Sequence, residues 1–216
     1  MTMIVRGAKY NALLYSQVND FQLQCGERLA LTAGIKHDDK VLDMGCGTGE
    51  LTAILAKMVG KETPVVGVDP DFERIEVAAQ KHSGAHENIT FIRGDSSTEF
   101  PHFNEPYYDV HFSNFVFQWL DSDKKDKFVK TAFQILKPGG KVAIQSHEGD
   151  NAAVMALAKK FHCQSRNTVG QIYPHYVSKA TTEAILRKAG FSILYSDYFY
   201  NPYTFANAED FLAFFY

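Results

Sequence analysis

From Val41 onward, short β-branched runs alternate with longer stretches whose apolar residues recur at helical spacing: VLDM, GELTAILAKMVG, PVVGVD, DFERIEVAAQKH and ITFIRGD follow one another in the chain. Short apolar runs bounded by turn residues predict strands, and three-to-four spacing predicts helices. The series continues with YYDVHFSNF as a strand, DKKDKFVKTAFQILKPGG as a helix with a Pro-Gly-Gly stop, and KVAIQSH as a fifth strand. This alternation is the mark of parallel βαβ units, in which an open sheet lies between helices.

The flanks are less regular. Residues 10–33 carry apolar residues at helical spacing, contain no proline and end at Gly34, which predicts one or two helices. After the fifth strand, 151–165 reads as helix and 166–178 as a loop bearing Tyr and His. KATTEAILRKAGF follows as a helix closing at Gly190, then FSILYSDYFY as another strand, and ANAEDFLAFFY starts like a helix. The expected organisation is one domain over 1–216: an N-terminal helical lid at 1–39, a core at 40–147, and a C-terminal lid with strand and helix at 148–216. There are no repeats, low-complexity tracts or linker-like segments.

Composition narrows the function. The chain has 216 residues, 45% of them hydrophobic, enough for one sizeable core. Its formal charge of -3, from 22 basic and 25 acidic residues, supplies no field that would gather a phosphate backbone or an anionic membrane. Neither nucleic acid nor membrane is expected as a partner. No apolar run approaches the roughly 20 residues that span a bilayer, and Met1–Tyr10 lacks the apolar block of a secretory signal, so a soluble, cytoplasmic protein is expected. Cys25, Cys46 and Cys163 are isolated, which fits neither a disulfide framework nor zinc-site spacing, and no metal is implied.

The candidate chemistry starts at the turn Asp43-Met44-Gly45-Cys46-Gly47-Thr48-Gly49, between a short apolar strand and the helix from Glu50. Glycines there permit positive φ and let a ligand lie against bare backbone, while the following helix start presents amides. Alone, such a turn is equally a nucleotide-type cofactor site or a tight structural turn. Its spacing to two acids decides between them. Asp69 stands at the end of the next strand, about 20 residues on, where a carboxylate accepts both hydroxyls of a ribose; Asp95 ends the third strand. Ligands of open α/β sheets bind outside these strand ends, so the three elements converge on one crevice. A dinucleotide site expects its third glycine three positions after the second and a diphosphate on the helix, where Glu50 would repel it.

From about Val41 to His147 the arrangement resembles the class I S-adenosylmethionine-dependent methyltransferases. The resemblance implies an α/β, Rossmann-like, doubly wound and mostly parallel sheet with helical lid segments at both ends. It also implies S-adenosyl-L-methionine as cofactor, S-adenosyl-L-homocysteine as product, and a monomer or homodimer. In that family the acid at Asp69 binds ribose, the acid at Asp95 contacts the adenine amino group, and the turn at Gly45 and Gly47 passes under the methionine part, supported by Asp43 and Gly49. Pro70, Ser96 and strand-end Asn114 join the expected cofactor contacts.

The stretch Ser113-Asn114-Phe115-Val116-Phe117-Gln118-Trp119 is similar to the small-molecule carboxyl methyltransferases acting on trans-aconitate, malonyl carrier protein and juvenile hormone acid, which share a Gln-Trp or His-Trp ending. Tyr15 and Gln22 repeat a Tyr-x6-Gln pattern of that group. The resemblance gives Gln22 and Trp119 the acceptor carboxylate and makes the acceptor a small carboxylic acid. A carboxylate is ionised at neutral pH and needs only alignment, for which the amide and indole N–H suffice. The plainer alternatives stand beside these roles: Trp119 as a packing residue, Gln22 as a solvated one, and Tyr10 and Tyr15 as either cofactor cover or staples of the N-terminal helix. Two other acceptor classes remain open, a nitrogen or a quinone-type carbon, which would call for a base such as His147 or His175. A cofactor-binding module without turnover is the third reading. Tyr195, Tyr198, Phe199, Tyr200 and Tyr203 alternate like a half-buried strand, and core packing is their expected role. The class I fold closes with a sixth and an antiparallel seventh strand; FSILYSDYFY supplies the sixth and no seventh is visible. The aromatic run Phe211–Tyr216 should not stay exposed, which points to a longer natural chain or a covering partner.

Overall fold

The computed structural model describes residues 19–148, 174–200 and 204. Five strands form one parallel sheet: β1 (Val41–Met44), β2 (Val65–Asp69), β3 (Ile89–Arg93), β4 (Tyr108–Asn114) and β5 (Leu136–Gln145). Their order is β3-β2-β1-β4-β5, so the chain reverses direction across the sheet between β1 and β4. That reversal opens a crevice at the carboxyl ends of these two strands.

Helices cover both faces: α1 (Asp20–Ala33), α2 (Glu50–Val59), α3 (Phe72–His82), α4 (Ser122–Ile135) and α5 (Lys179–Lys188). Every residue of β1 and β2 is buried, as strands covered on both sides must be. Neighbouring strand residues point to opposite faces. Val41, Val65 and Val110 pack with Leu51, Leu55 and Val59 of α2, while Leu42, Val66 and Val68 pack with Phe128 and Ile135 of α4 and Leu186 of α5. The helix starts are capped by side chains: Asp71 accepts from the Glu73 and Arg74 amides, Asp121 from Lys124, and Ser178 from Thr181. No described helix is long and apolar enough to cross a membrane.

Three expectations change. The helix expected to run to Pro138-Gly139-Gly140 stops at Ile135, and β5 begins at once; the Lys137–Gly140 stretch is looped out of the β4 pairing, which jumps from Tyr108–Leu136 to Val110–Lys141. Residues 191–200, expected as a sixth strand, form no ladder. A strand exists only where its backbone finds a partner, and among the described residues no seventh strand supplies one. Its aromatics are accordingly not core: Tyr195, Tyr198 and Tyr200 are exposed at 65%, 65% and 88%, and Phe199 lies under the Arg28 guanidinium, 3.6 Å from the ring centroid. Tyr203, much of the lid segments, and the expected helices at 151–165 and 206–216 lie outside the described residues.

Candidate active site

The turn after β1 is built by close approach. Gly45 has φ +85°, and its amide donates to the Val68 carbonyl at 2.7 Å. A Cβ on Gly45 would overlap the Val116 Cγ2 methyl, so the turn and the chain after β4 touch at the switch point itself. Gly49, φ +85°, begins α2; a Cβ there would lie 2.7 Å from Phe91 Cζ, on β3. Only glycine satisfies both the backbone angle and the contact at these two positions.

Asp69 is 5% exposed at the end of β2. Its Oδ2 accepts the Gly47 amide at 3.0 Å and its Oδ1 the Asp71 amide at 2.9 Å. The carboxylate thus fixes the glycine turn and the start of α3, and two of its roughly four acceptor positions remain for a ligand's hydroxyls. Burial raises its pKa, an effect that nearby Arg74 and these two amides offset. Asp43 lies one strand over and is 1% exposed. Thr52 Oγ1 donates to its Oδ2 at 2.6 Å, and burial pushes its pKa up to about 7, the Thr52 bond countering and the Asp69 charge adding. Asp43 therefore supports the turn from beneath.

Asp95 Oδ1 accepts the Ser97 amide at 2.7 Å, and its own amide is bonded by Thr98 Oγ1. Asp95 and Ser96 line a mainly apolar cleft with Met44, Gly45, Pro70 and Val116, closed on the far side by Leu120 and Phe128. This cleft sits outside the carboxyl ends of β1 to β4, where a doubly wound sheet binds ligands. A second depression, at the other end of the sheet beside Lys36, Lys137 and Gly139, is polar, and Lys137 pairs with Asp109 there at 2.7 Å. It is remote from the turn and the strand-end acids.

Glu50, read as an acid hostile to a diphosphate, has a structural duty. Its carboxylate takes hydrogen bonds from Thr48 Oγ1 at 2.5 Å, Lys81 Nζ at 2.9 Å and Asn19 Nδ2 at 3.2 Å. Burial raises its pKa, but the Thr48 and Lys81 bonds outweigh burial and hold it below the ordinary range. Because Lys81 offsets its charge, repulsion of a diphosphate is a weaker argument than the shape of the turn.

Gln22 and Asn114 meet: Asn114 Nδ2 donates to the Gln22 carbonyl at 2.8 Å, tying the start of α1 to the end of β4. Among the described residues, Gln22 Oε1 and Asn114 Oδ1 are buried acceptors with no hydrogen-bond partner, a pair that a ligand bearing N–H donors would complete. Trp119 ends a short 3-10 turn (Phe117–Trp119) and is 38% exposed, between cleft-lining Val116 and Leu120. Among the described residues no ring stacks on it. Tyr10 and Tyr15 lie outside the described residues.

Two residues not singled out in the sequence organise this side. Gln118, 4% exposed, accepts Ser146 Oγ at 2.9 Å and the His147 amide at 3.4 Å on its Oε1, and the His175 amide at 2.6 Å on its backbone carbonyl. It thereby brings both candidate bases beside one turn. The His147 ring stacks on Phe115, centroids 4.7 Å apart, and desolvation lowers its pKa. Lys125, 1% exposed, carries a signal in the sequence: it sits three residues before Phe128 on the apolar stripe of α4.

The sheet, the glycine turn and the two strand-end acids define a Rossmann-like cofactor domain of the methyltransferase type. Residues 41–140 match the family model of the methyltransferase domain, and the sheet and helices they form are the class I S-adenosylmethionine-dependent methyltransferase fold. It is 37% identical over 139 residues to the malonyl-[acyl-carrier protein] O-methyltransferase of Halalkalibacterium halodurans, covering 60% of this chain and 49% of that one. It is 32% identical over 109 residues to the ubiquinone/menaquinone biosynthesis C-methyltransferase of Wigglesworthia glossinidia brevipalpis, covering 50% and 42%. The chain thus spans about half the length of the curated relatives it matches. A crystal structure of a SAM-dependent methyltransferase from Aquifex aeolicus shares the fold, with TM-score 0.59 and 22% identity over 82% of this chain and 87% of that one. The cofactor of this class is S-adenosyl-L-methionine. The chain's residues fit it: free acceptor positions on Asp69, orphaned acceptors on Gln22 and Asn114, and an apolar cleft edged by Asp95 and Ser96.

Proposed function

We propose that this protein transfers the methyl group of S-adenosyl-L-methionine to the carboxylate of a small organic acid. When bound, the cofactor supplies an electrophilic methyl carbon on a sulfonium. The chain's residues do the rest by binding and alignment. Asp69 takes the ribose hydroxyls, Asp95 and Ser96 with Pro70 edge the adenine cleft, and Gly45, Gly47 and Gly49 give the methionine part its backbone floor over Asp43. The orphaned oxygens of Gln22 and Asn114 accept from the cofactor's amino group, with Tyr15 in the N-terminal lid as a further cover. The observation that carries the acceptor reading is Trp119, an exposed side chain next in sequence to cleft-lining Leu120, whose indole N–H is assigned to the carboxylate. Together with the Gln22 amide it aligns an oxygen that is already ionised, and no base is required. The similarity to a malonyl-[acyl-carrier protein] O-methyltransferase is in keeping with this. Purified protein is expected to release S-adenosylhomocysteine only when an acid is supplied; equal release with and without acid refutes the reading.

A second reading rests on His147. Stacked on Phe115 and held by Gln118, its imidazole is the group that would accept a proton, as methylation at carbon or nitrogen requires. The similarity to a quinone C-methyltransferase favours keeping it. It predicts a rate that falls steeply in His147→Phe, whereas the carboxylate reading predicts a change of threefold or less.

A further inference from the structure

The cofactor half of the site is held together by Asp69 and the glycines, which reach the chain assigned above to the acceptor side only where Gly45 meets Val116. That chain comes in three pieces: the turn Val116–Leu120 after β4, Ser146 and His147 after β5, and the stretch 174–178 before α5. They are far apart in sequence and belong to no common helix or strand, so something must set their register.

Lys125 joins two of them. Its Nζ donates to the His175 carbonyl at 2.8 Å and to the Leu120 carbonyl, and stands 5.2 Å from the centroid of the Phe117 ring. The side chain is 1% exposed, and no carboxylate is hydrogen-bonded to it among the described residues. A buried ammonium is costly unless its donors are used, and here they are used on backbone carbonyls 55 residues apart, 175 against 120. Gln118 completes the clasp from the same turn. Its carbonyl takes the His175 amide and its side-chain oxygen takes Ser146 and the His147 amide. His175 is thereby held through both its N–H and its C=O, while its imidazole stays exposed.

We infer that Lys125 is a positioning residue for the acceptor side of the site: its buried ammonium fastens the chain at His175 to the turn that carries Gln118 and Trp119, and so sets the acceptor wall independently of the cofactor half. A methyl transfer tolerates little misplacement of its acceptor atom, so loss of the clasp acts on acceptor recognition and not on cofactor affinity. The inference holds whichever atom is methylated.

The test compares Lys125→Met and Lys125→Arg with the unaltered chain. Methionine keeps the buried length and removes both hydrogen bonds; arginine keeps donors for both carbonyls. In the methionine variant, amide exchange over 174–178 and 117–120 should accelerate at least tenfold. Exchange over Gly45–Gly49 and the Kd for S-adenosylhomocysteine should stay within threefold, while the thermal midpoint falls by a few degrees because the Leu120 and His175 carbonyls lose their donor. The arginine variant should return exchange at 174–178 to within threefold of the unaltered chain. With malonate, trans-aconitate and a fatty acid as probes, the methionine variant should raise KM at least tenfold while kcat holds within threefold. If none of these probes is methylated by the unaltered chain, the carboxylate reading fails, and exchange and calorimetry still decide the clasp. Exchange at 174–178 that is unchanged in Lys125→Met, or that accelerates no more than exchange at Gly45–Gly49, overturns it.

Discussion

Replacing Asp69 by alanine removes an acceptor from one buried and one partly buried amide and from the cofactor at once, and the two losses are separable. In the fold, Gly47 and Asp71 each lose a hydrogen-bond partner held at 3.0 and 2.9 Å. An unsatisfied buried amide costs about 1–3 kcal/mol. Part of that is recovered, because removing a desolvated carboxylate also relieves its repulsion of Asp43, whose pKa should then fall. The net loss of folding stability should be about 1–3 kcal/mol, seen as a lower urea midpoint at unchanged slope. For the cofactor, losing hydrogen bonds to a charged group is worth about 1–3 kcal/mol, or a Kd for S-adenosylhomocysteine raised roughly 5- to 150-fold. Calorimetry at a temperature where both forms are folded reads this second quantity alone. Asp69→Asn, which keeps one carbonyl oxygen, should fall between. A folded Asp69→Ala protein with Kd within twofold of the unaltered chain would falsify the ribose assignment.

Three further outcomes are expected. Gly45→Ala should destabilise by about 1–2 kcal/mol for a left-handed residue, plus about 1–3 kcal/mol for overlap with Val116; Val116→Ala in the same chain should recover the overlap part only, and strict additivity of the two would show that the contact is not made. His111 is fully buried on β4, with both ring nitrogens unpartnered among the described residues, and burial lowers its pKa to about 4. Between about pH 6.5 and 4 the unfolded chain binds a proton that the folded chain refuses. The stability His111 allows is therefore complete above the unfolded pKa and is lost as pH falls toward the folded one. Asp43 titrates in the opposite sense over much of the same range, so the reading is the difference between His111→Leu and the unaltered chain. The variant's advantage should grow by about 2–3 kcal/mol from about pH 7.5 to about pH 4.5, and a pH-independent difference contradicts the burial argument. Trp119→Phe should leave cofactor affinity intact while lowering turnover or raising the acid's KM; unaltered kinetics would make Trp119 a packing residue.

The cofactor half was legible because its determinants are local. The glycine turn, Asp69 and Asp95 each follow a strand whose apolar run is plain in the sequence, and a parallel sheet places all such ends on one edge. The acceptor side was less so. Residues 191–200 have the alternation of a strand, but alternation records a propensity and pairing needs a partner, which β5 does not find in this segment. Lys125 is hidden in the charged string DSDKKDKF, where solvent exposure is the natural expectation; only its place on the stripe of Phe128, Ala132 and Ile135 marks it as buried. Gln118 stands in the Gln-Trp pair, but the pair says nothing of what its side chain holds. Its role comes from contacts with residues 28, 29 and 57 positions away, which no local pattern encodes.

The most direct test of the proposed reaction is incubation of the protein with methyl-labelled S-adenosylmethionine and a panel of dicarboxylic, fatty and terpenoid acids, followed by mild base. The carboxylate reading predicts labelled product with one class of acid and release of the label as methanol. Label that survives base would contradict it and move the chemistry to nitrogen or carbon, with His147 as the base.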